Sequence, residues 1–212
     1  MEKSIERIWK EGFLKQDAMV APKVNDLYNQ KSDHIIDKII RMGKINLYAI
    51  AIGSLVVLTI ALMVGSYMGG TLLFLVLNSL VWAAVQNSKG LQRIDKGGSS
   101  YEYINSFNNW LQSYIRKFRR IYRVVYPLIF FAFLLGFWEY GGADITRELL
   151  ESNPDMTFIL GVPKLVFIIG LLIVGLAALF SGPLYRFDVW SVYGPVLRKL
   201  KEILTDMEEL RS

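Results

Sequence analysis

The sequence predicts an all-α integral membrane protein, a bundle of four spans with amphipathic cytoplasmic helices extending from it. Three observations lead there. From Ile45 to Ser88 the chain has no Asp, Glu, Lys, Arg or His, and Lys44 and Lys89 close that stretch on either side. The apolar residues, 53% of the chain, are gathered into blocks, with two more near 124–138 and 162–180. Lys and Arg are concentrated in some connecting segments and nearly absent from others. A crossing of the hydrocarbon core takes ~20 apolar residues at ~1.5 Å each, so residues 45–88 hold two crossings.

Residues 1–44 carry nine Lys/Arg and seven Asp/Glu. Two amphipathic helical patterns run through them, Ile5, Ile8, Trp9 and Phe13, then Leu27, Tyr28, Ile35, Ile36, Ile39 and Ile40. Pro22 disfavours helix at Ala21 and predicts a break between them. The second helix leads into span 1, Ile45 to Ser66. The run GSYMGG from Gly65 to Gly70 predicts a turn, and span 2 covers Thr71 to Gln86. Residues 45–88 therefore form a transmembrane hairpin.

Residues 89–123 begin with a polar, Gly-rich linker. Ser99 and Glu102 have the spacing of a capping box, in which hydroxyl and carboxylate satisfy the first free amides of a helix. In that helix Ile104, Phe107, Leu111, Tyr114, Phe118, Ile121 and Val125 alternate spacings of three and four, a heptad seam. The seam runs into span 3, Val124 to Trp138, where Pro127 predicts a kink. Residues 139–163, with Glu139, Asp144, Glu148, Glu151 and Asp155 against Arg147, read as an outside loop. Span 4 runs from Val162 to Phe180, with Pro163 in its first turn. Ser181-Gly182-Pro183 should end it. The segment 181–212 follows, with Tyr185, Trp190 and Tyr193 as interfacial aromatics. Its last helix has Val196, Leu200, Ile203, Met207 and Leu210 at heptad spacing.

Orientation follows from the basic residues of the short flanking segments. The N-terminal segment has nine Lys/Arg, 87–123 eight and the tail from 181 five, whereas 65–70 has none and 139–163 one. Both termini and the middle segment should therefore be cytoplasmic, in the cytoplasmic (inner) membrane. No short apolar core near the start suggests a secretory signal.

Candidate chemistry is sparse. The chain has no Cys and one His, which removes disulfides, thiol nucleophiles and Cys-based zinc sites. His34 reads as a surface or interface residue, and no cofactor or metal is expected. The four apolar cores contain no ionisable residue, the usual pointer to an ion or proton path. Asn78 and Ser79 could line a polar path, which makes a small transporter or channel subunit the alternative function. Interhelical hydrogen bonding is the stronger reading of that pair. With no catalytic constellation, a non-enzyme is expected. Small residues at Ala49, Gly53, Ala61 and Gly65, at Ala132 and Gly136, and at Gly170, Ala178 and Gly182 suit close helix packing within the bundle, and also a homodimer. Arg116, Lys117, Arg119, Arg120 and Arg123 stand next to span 3, where basic residues contact lipid headgroups; no nucleic acid is expected. Ile104, Phe107, Leu111, Tyr114, Phe118 and Ile121 form a candidate surface for a cytoplasmic partner, unless they pack against the other cytoplasmic helices of the same chain.

The stretches IERIWKEGFLKQ and NDLYNQKSDHIIDKIIRMGKINLY, the latter leading into span 1, resemble the N-terminal part of small uncharacterised four-span bacterial inner-membrane proteins. Some of these are encoded beside extracytoplasmic-function sigma factors. The resemblance covers about the first third of the chain and implies a regulatory, anti-sigma-like role for the cytoplasmic N-terminus. A zinc-binding motif of His and two Cys cannot exist here, because Cys is absent. The expected function is thus a non-enzymatic regulatory or scaffolding membrane protein acting through its cytoplasmic helices.

Overall fold

A computed structural model describes residues 5–94 and 100–209, with side chains over 33–91, at 94 and over 101–208. Four helices dominate: α1 (Ile5–Met63), α2 (Tyr67–Ser88), α3 (Ser100–Ser152) and α4 (Lys164–Glu209). A 3-10 segment, Lys89–Arg93, follows α2, and a two-stranded antiparallel hairpin, β1 (Phe158–Ile159) and β2 (Val162–Pro163), precedes α4. Each helix packs on the next, and α4 returns to α1, an up-down-up-down bundle. All four helices are long and apolar enough to cross a membrane. We call the end with the α1–α2 turn and the β-hairpin the turn end, and the other the basal end.

The helices are longer than the apolar periodicity implies, because several local breakers do not break them. α1 continues through Pro22, although a break was expected there; the amphipathic side chains of residues 5–28 lie outside the described ones. α3 passes through Pro127, and α4 through Pro183 and Pro195. A proline removes one helical hydrogen bond. At Pro127 and Pro183, inside or next to the apolar band, leaving the helix would expose several unpaired backbone groups, so continuing is the smaller cost. Span 4 therefore does not end at Ser181-Gly182-Pro183. The buried Ser181 hydroxyl donates to the Ala178 carbonyl at 2.8 Å and stays within the helix. Pro163 belongs to β2, and α4 starts one residue later.

Two further expectations are corrected at the turn end. The α1–α2 connection is only Val64–Ser66, with Gly65 at φ +83, and Tyr67 to Gly70 already belong to α2. Gly69 and Gly70 are buried at helix crossings. A Cβ on Gly69 would lie 2.3 Å from the Gly136 backbone of α3, and one on Gly70 would lie 2.3 Å from the Ala61 Cβ of α1. The expected outside loop 139–163 is helical as far as Ser152. Gly141 and Gly142 lie inside α3, where Gly142 makes room for the Trp138 indole one turn earlier. At the other end, α3 begins at Ser100 with Glu102 in its first turn, and Ser99 lies outside the described residues.

Between the ends, the outward surface is apolar. Ile45, Ile52, Val56 and Ile60 on α1, Leu75 on α2, Phe133 and Phe137 on α3, and Leu172, Leu176 and Leu179 on α4 are all exposed. An apolar surface of this extent on a monomer marks contact with lipid or protein. From Ile45 to Met63 it rises about 27 Å along α1, close to the ~30 Å thickness of a hydrocarbon core. Tyr48, Trp82 and Trp190 are exposed toward the basal end of this band, and Tyr67 and Tyr140 toward the turn end, as interfacial aromatics are. Of the three aromatics expected to be interfacial near the start of the tail, Trp190 faces outward, whereas Tyr185 is buried and Tyr193 half-buried inside the bundle.

Candidate functional site

The basal end holds a helical bundle with its own core. Ile35, Ile36 and Ile39 of α1 meet Ile104, Phe107 and Leu111 of α3 and Val196, Leu200, Ile203, Leu204 and Met207 of α4. Leu91 and Ile94, from the segment after α2, pack against this core. Heptad spacing explains the geometry, since residues three and four apart share one helix face. The seam predicted as a partner surface is therefore turned inward. Ile104 and Phe107 are 0% exposed, Leu111 and Phe118 are buried, and Tyr114 and Ile121 are half-buried. Its partners are α1, α2 and α4 of the same chain, the arrangement that satisfies its apolar face.

Along α3 the seam is also an aromatic ladder. Phe107 and Trp110 have ring centroids 5.8 Å apart, Trp110 and Tyr114 5.4 Å, and Tyr114 and Phe118 stack at 4.3 Å. Tyr122 continues it to Tyr126 at 5.1 Å and crosses to Tyr185 of α4 at 4.8 Å. Tyr126 donates its hydroxyl hydrogen bond to the Asp188 carboxylate. Burial raises the phenols of Tyr114 and Tyr122, the latter to about 12 with a contribution from nearby Asp188. Both stay neutral hydrogen-bond donors at physiological pH. This polar-edged aromatic collar joins the basal core to a second core of Val76, Leu80, Ala84, Phe118, Val125 and Tyr185.

The basic cluster surrounds the collar. Arg116, Lys117, Arg120 and Arg123 are exposed. Arg116 donates to the Ser113 hydroxyl at 3.1 Å, and Lys117 donates to the Asn87 side-chain carbonyl at the end of α2. Arg119 differs: it is half-buried, and its Nε is enclosed with no acceptor among the described residues. Four of the five predicted headgroup contacts thus face outward. His34 is exposed on α1. Among the described residues no three His, Asp or Glu side chains gather as a metal site would require.

Asn78 and Ser79 are used in packing. Asn78 Nδ2 donates to Ser54 Oγ of α1 at 3.0 Å and to the Phe74 carbonyl at 2.9 Å. Ser54, itself buried, donates to the Ala51 carbonyl at 2.8 Å, and Ser79 donates to the Val76 carbonyl at 2.8 Å. Their donors are thus spent inside the α1–α2 pair. Asn78→Ala should cost about 0.6 kcal/mol, the average of such bonds in membrane bundles. Unfolding in mixed micelles of rising denaturing detergent measures it; a loss above about 2 kcal/mol would show that the amide does more than join two helices.

One residue that sequence reasoning assigned to the outside loop has a structural role at the turn end. Glu139 Oε1 accepts from the Met68 amide at 2.8 Å, and Oε2 from the Gly69 amide at 2.9 Å. Ser66 Oγ lies 3.4 Å from Oε2. A helix start leaves its first amides free, and Ser66 makes no side-chain cap bond to them. The carboxylate of α3 caps α2 instead, where the helix dipole also favours negative charge. The available signal was the missing acid near the start of α2, since Thr71, Gly70 and Gly69 supply none. Glu139→Ala should destabilise the fold by about 1.5–3 kcal/mol, the scale for hydrogen bonds to a charged group. Glu139→Gln should lose part of that, because its single oxygen accepts without the charge. The same micelle titration tests the order wild type, Gln, Ala; equal stability of all three would remove the capping role.

No protein-family model, curated protein or solved structure matches this chain.

Proposed function

We propose that the chain is a non-enzymatic integral protein of the cytoplasmic (inner) membrane, regulatory or scaffolding, acting through its basal helices on the cytoplasmic side. The observation that carries this reading is continuity. α1, α3 and α4 run unbroken from the apolar band into a basal bundle with a separate hydrophobic core. A protein that needed only to be anchored would gain nothing from so extended a core at its basal end. The segregation of Lys and Arg supports the orientation, with both termini cytoplasmic.

Because the heptad seam is internal, partner recognition falls to other surfaces. The described candidates are the exposed charged faces of the basal bundle, including Asp33, His34, Asp37 and Lys38 on α1 and Arg198, Lys199 and Lys201 on α4. The resemblance of the N-terminal third adds a cytoplasmic regulatory protein of the sigma-factor kind as the partner class. The full chain, solubilised in mild detergent, should recover one cytoplasmic protein that is lost when residues 1–32 are deleted. That deletion keeps Ile35, Ile36 and Ile39 and hence the core. If no specific protein co-purifies with the intact chain, the proposal fails.

A further inference from the structure

The β-hairpin at the turn end has an unusual tip. Ile159 pairs with Val162, so Leu160 and Gly161 form a two-residue turn. Leu160 has φ 52 and Gly161 φ 79. Two-residue hairpin turns with positive φ at both positions favour Asn, Asp or Gly, because a Cβ crowds the backbone there. A leucine is strained in that position, and its side chain is 89% exposed, so nothing among the described residues packs on it to compensate. Strain of this kind points to a role outside the fold itself. The hairpin is otherwise well held: Pro163 is fully buried, and the Lys164 amide donates to the Thr157 carbonyl at 2.9 Å across its base.

The surroundings indicate what the tip meets. Phe158 is 42% and Leu165 63% exposed, and Ile168, Ile169 and Leu172 continue the apolar surface down α4 into the band described above. Most charged residues of this end, Asp144, Arg147, Glu148 and Glu151, lie on α3, whereas Asp155 lines a shallow hollow with Thr157, Lys164, Leu165 and Ile168 at the base of the hairpin. The turn end is thus charged along α3, while its hairpin–α4 side is apolar apart from Asp155 and Lys164 at the hairpin base. Lys164, exposed between the hairpin and the apolar face of α4, has the stem and charge to reach a phosphate from an apolar setting.

We propose that the Phe158–Val162 hairpin is a membrane-interface anchor, with Leu160 and Phe158 seated in the lipid leaflet at the turn end and Lys164 at its headgroups. The inference rests on the reading that the apolar band lies in lipid. It adds a contact made by a non-helical element, which stays compatible with lipid because its short strands pair with each other and it reaches only the interface.

The absence of Cys makes the test direct, since each engineered cysteine is unique. The full-length variants Leu160→Cys, Asp155→Cys and Leu172→Cys are labelled with an environment-sensitive fluorophore and reconstituted in phosphatidylcholine vesicles. Leu160 is exposed, so its replacement should leave the fold intact, which far-ultraviolet circular dichroism checks. The Leu172 label reports whether the band is in lipid. For the Leu160 label, the expected result is emission shifted to the blue of the Asp155 label. Its quenching should be stronger by lipids brominated high on the acyl chain than by lipids brominated near the chain end. Water-like emission at Leu160 together with lipid-like emission at Leu172 overturns the anchor and leaves the membrane reading standing. Blue-shifted emission at Leu160 that brominated lipids do not quench also overturns it, because the tip is then covered by protein, including a second copy. Water-like emission at Leu172 overturns both readings.

Discussion

Gly69→Val should be among the most damaging single changes in the chain, costing about 3 kcal/mol or more. A Cβ at this position would lie 2.3 Å from both Cα and N of Gly136 and 2.8 Å from the Ala132 carbonyl oxygen, all of them backbone atoms. Carbon contacts settle near 3.5–4.0 Å, so α2 and α3 would have to move apart by more than an ångström. No rotamer change relieves a clash with backbone, and Gly136 is already the smallest residue. Overpacking typically costs about 1–3 kcal/mol. Separation would also draw the Met68 and Gly69 amides away from Glu139, which now accepts them at 2.8 and 2.9 Å, and lost charge-assisted bonds add to the cost. The alanine variant gives a sharper test because two effects oppose each other. Helix propensity alone favours Gly→Ala by about 1 kcal/mol, whereas the crossing predicts destabilisation. Gly53→Ala is the control, since a Cβ there has no neighbour within 4 Å. In a denaturing-detergent titration Gly53→Ala should be neutral or stabilising and Gly69→Ala destabilising. If both behave alike, the close crossing is wrong.

Phe107→Ala should cost about 3–5 kcal/mol, the range for a fully buried phenylalanine in a core that cannot collapse. Phe107 is 0% exposed and belongs to the same core as Ile36, Ile104 and Leu200, each at most 1% exposed. The loss should be confined to the basal end, because the second core and the glycine crossings do not depend on this side chain. Hydrogen exchange read by mass spectrometry distinguishes the two regions. Protection over 101–115 and 196–207 should fall steeply while 67–85 keeps its protection. Unchanged basal protection would mean that the two cores are not separate sources of stability.

Much of this architecture can be read in the amino-acid order. The uncharged run from Ile45 to Ser88 gives two helices because lipid leaves no other partner for the backbone. The seam from Ile104 to Val125 states which face of α3 turns inward, although the heptad pattern alone does not say whether a neighbouring helix belongs to the same chain. What local reasoning missed are the places where a distant segment sets the outcome. Gly69 and Gly70 look like a turn until α3 and α1 are seen pressed against them. Glu139 looks like a solvated loop acid until the bare start of α2 is placed beside it. Ser181-Gly182-Pro183 looks like a helix end under rules drawn largely from water, where a freed carbonyl finds a solvent partner. The strained tip at Leu160 leaves no periodic trace at all, being one backbone angle in a short turn.

α3 counts 53 residues in one piece, about 80 Å of rod, and α4 is also uninterrupted at 46 residues. Such a rod acts as a lever. Pivoting α3 by about 5° at one end would sweep the other end through about 7 Å, more than the width of one helical turn. The glycine crossing with Gly69 and the Glu139 clamp hold α3 at Gly136 and Glu139, about 20 Å short of its Ser152 end, and the basal core holds it near the Ser100 end. To the extent that α3 holds straight through Pro127, a small tilt at the clamp would be felt on the far side of the apolar band as a displacement of the basal core.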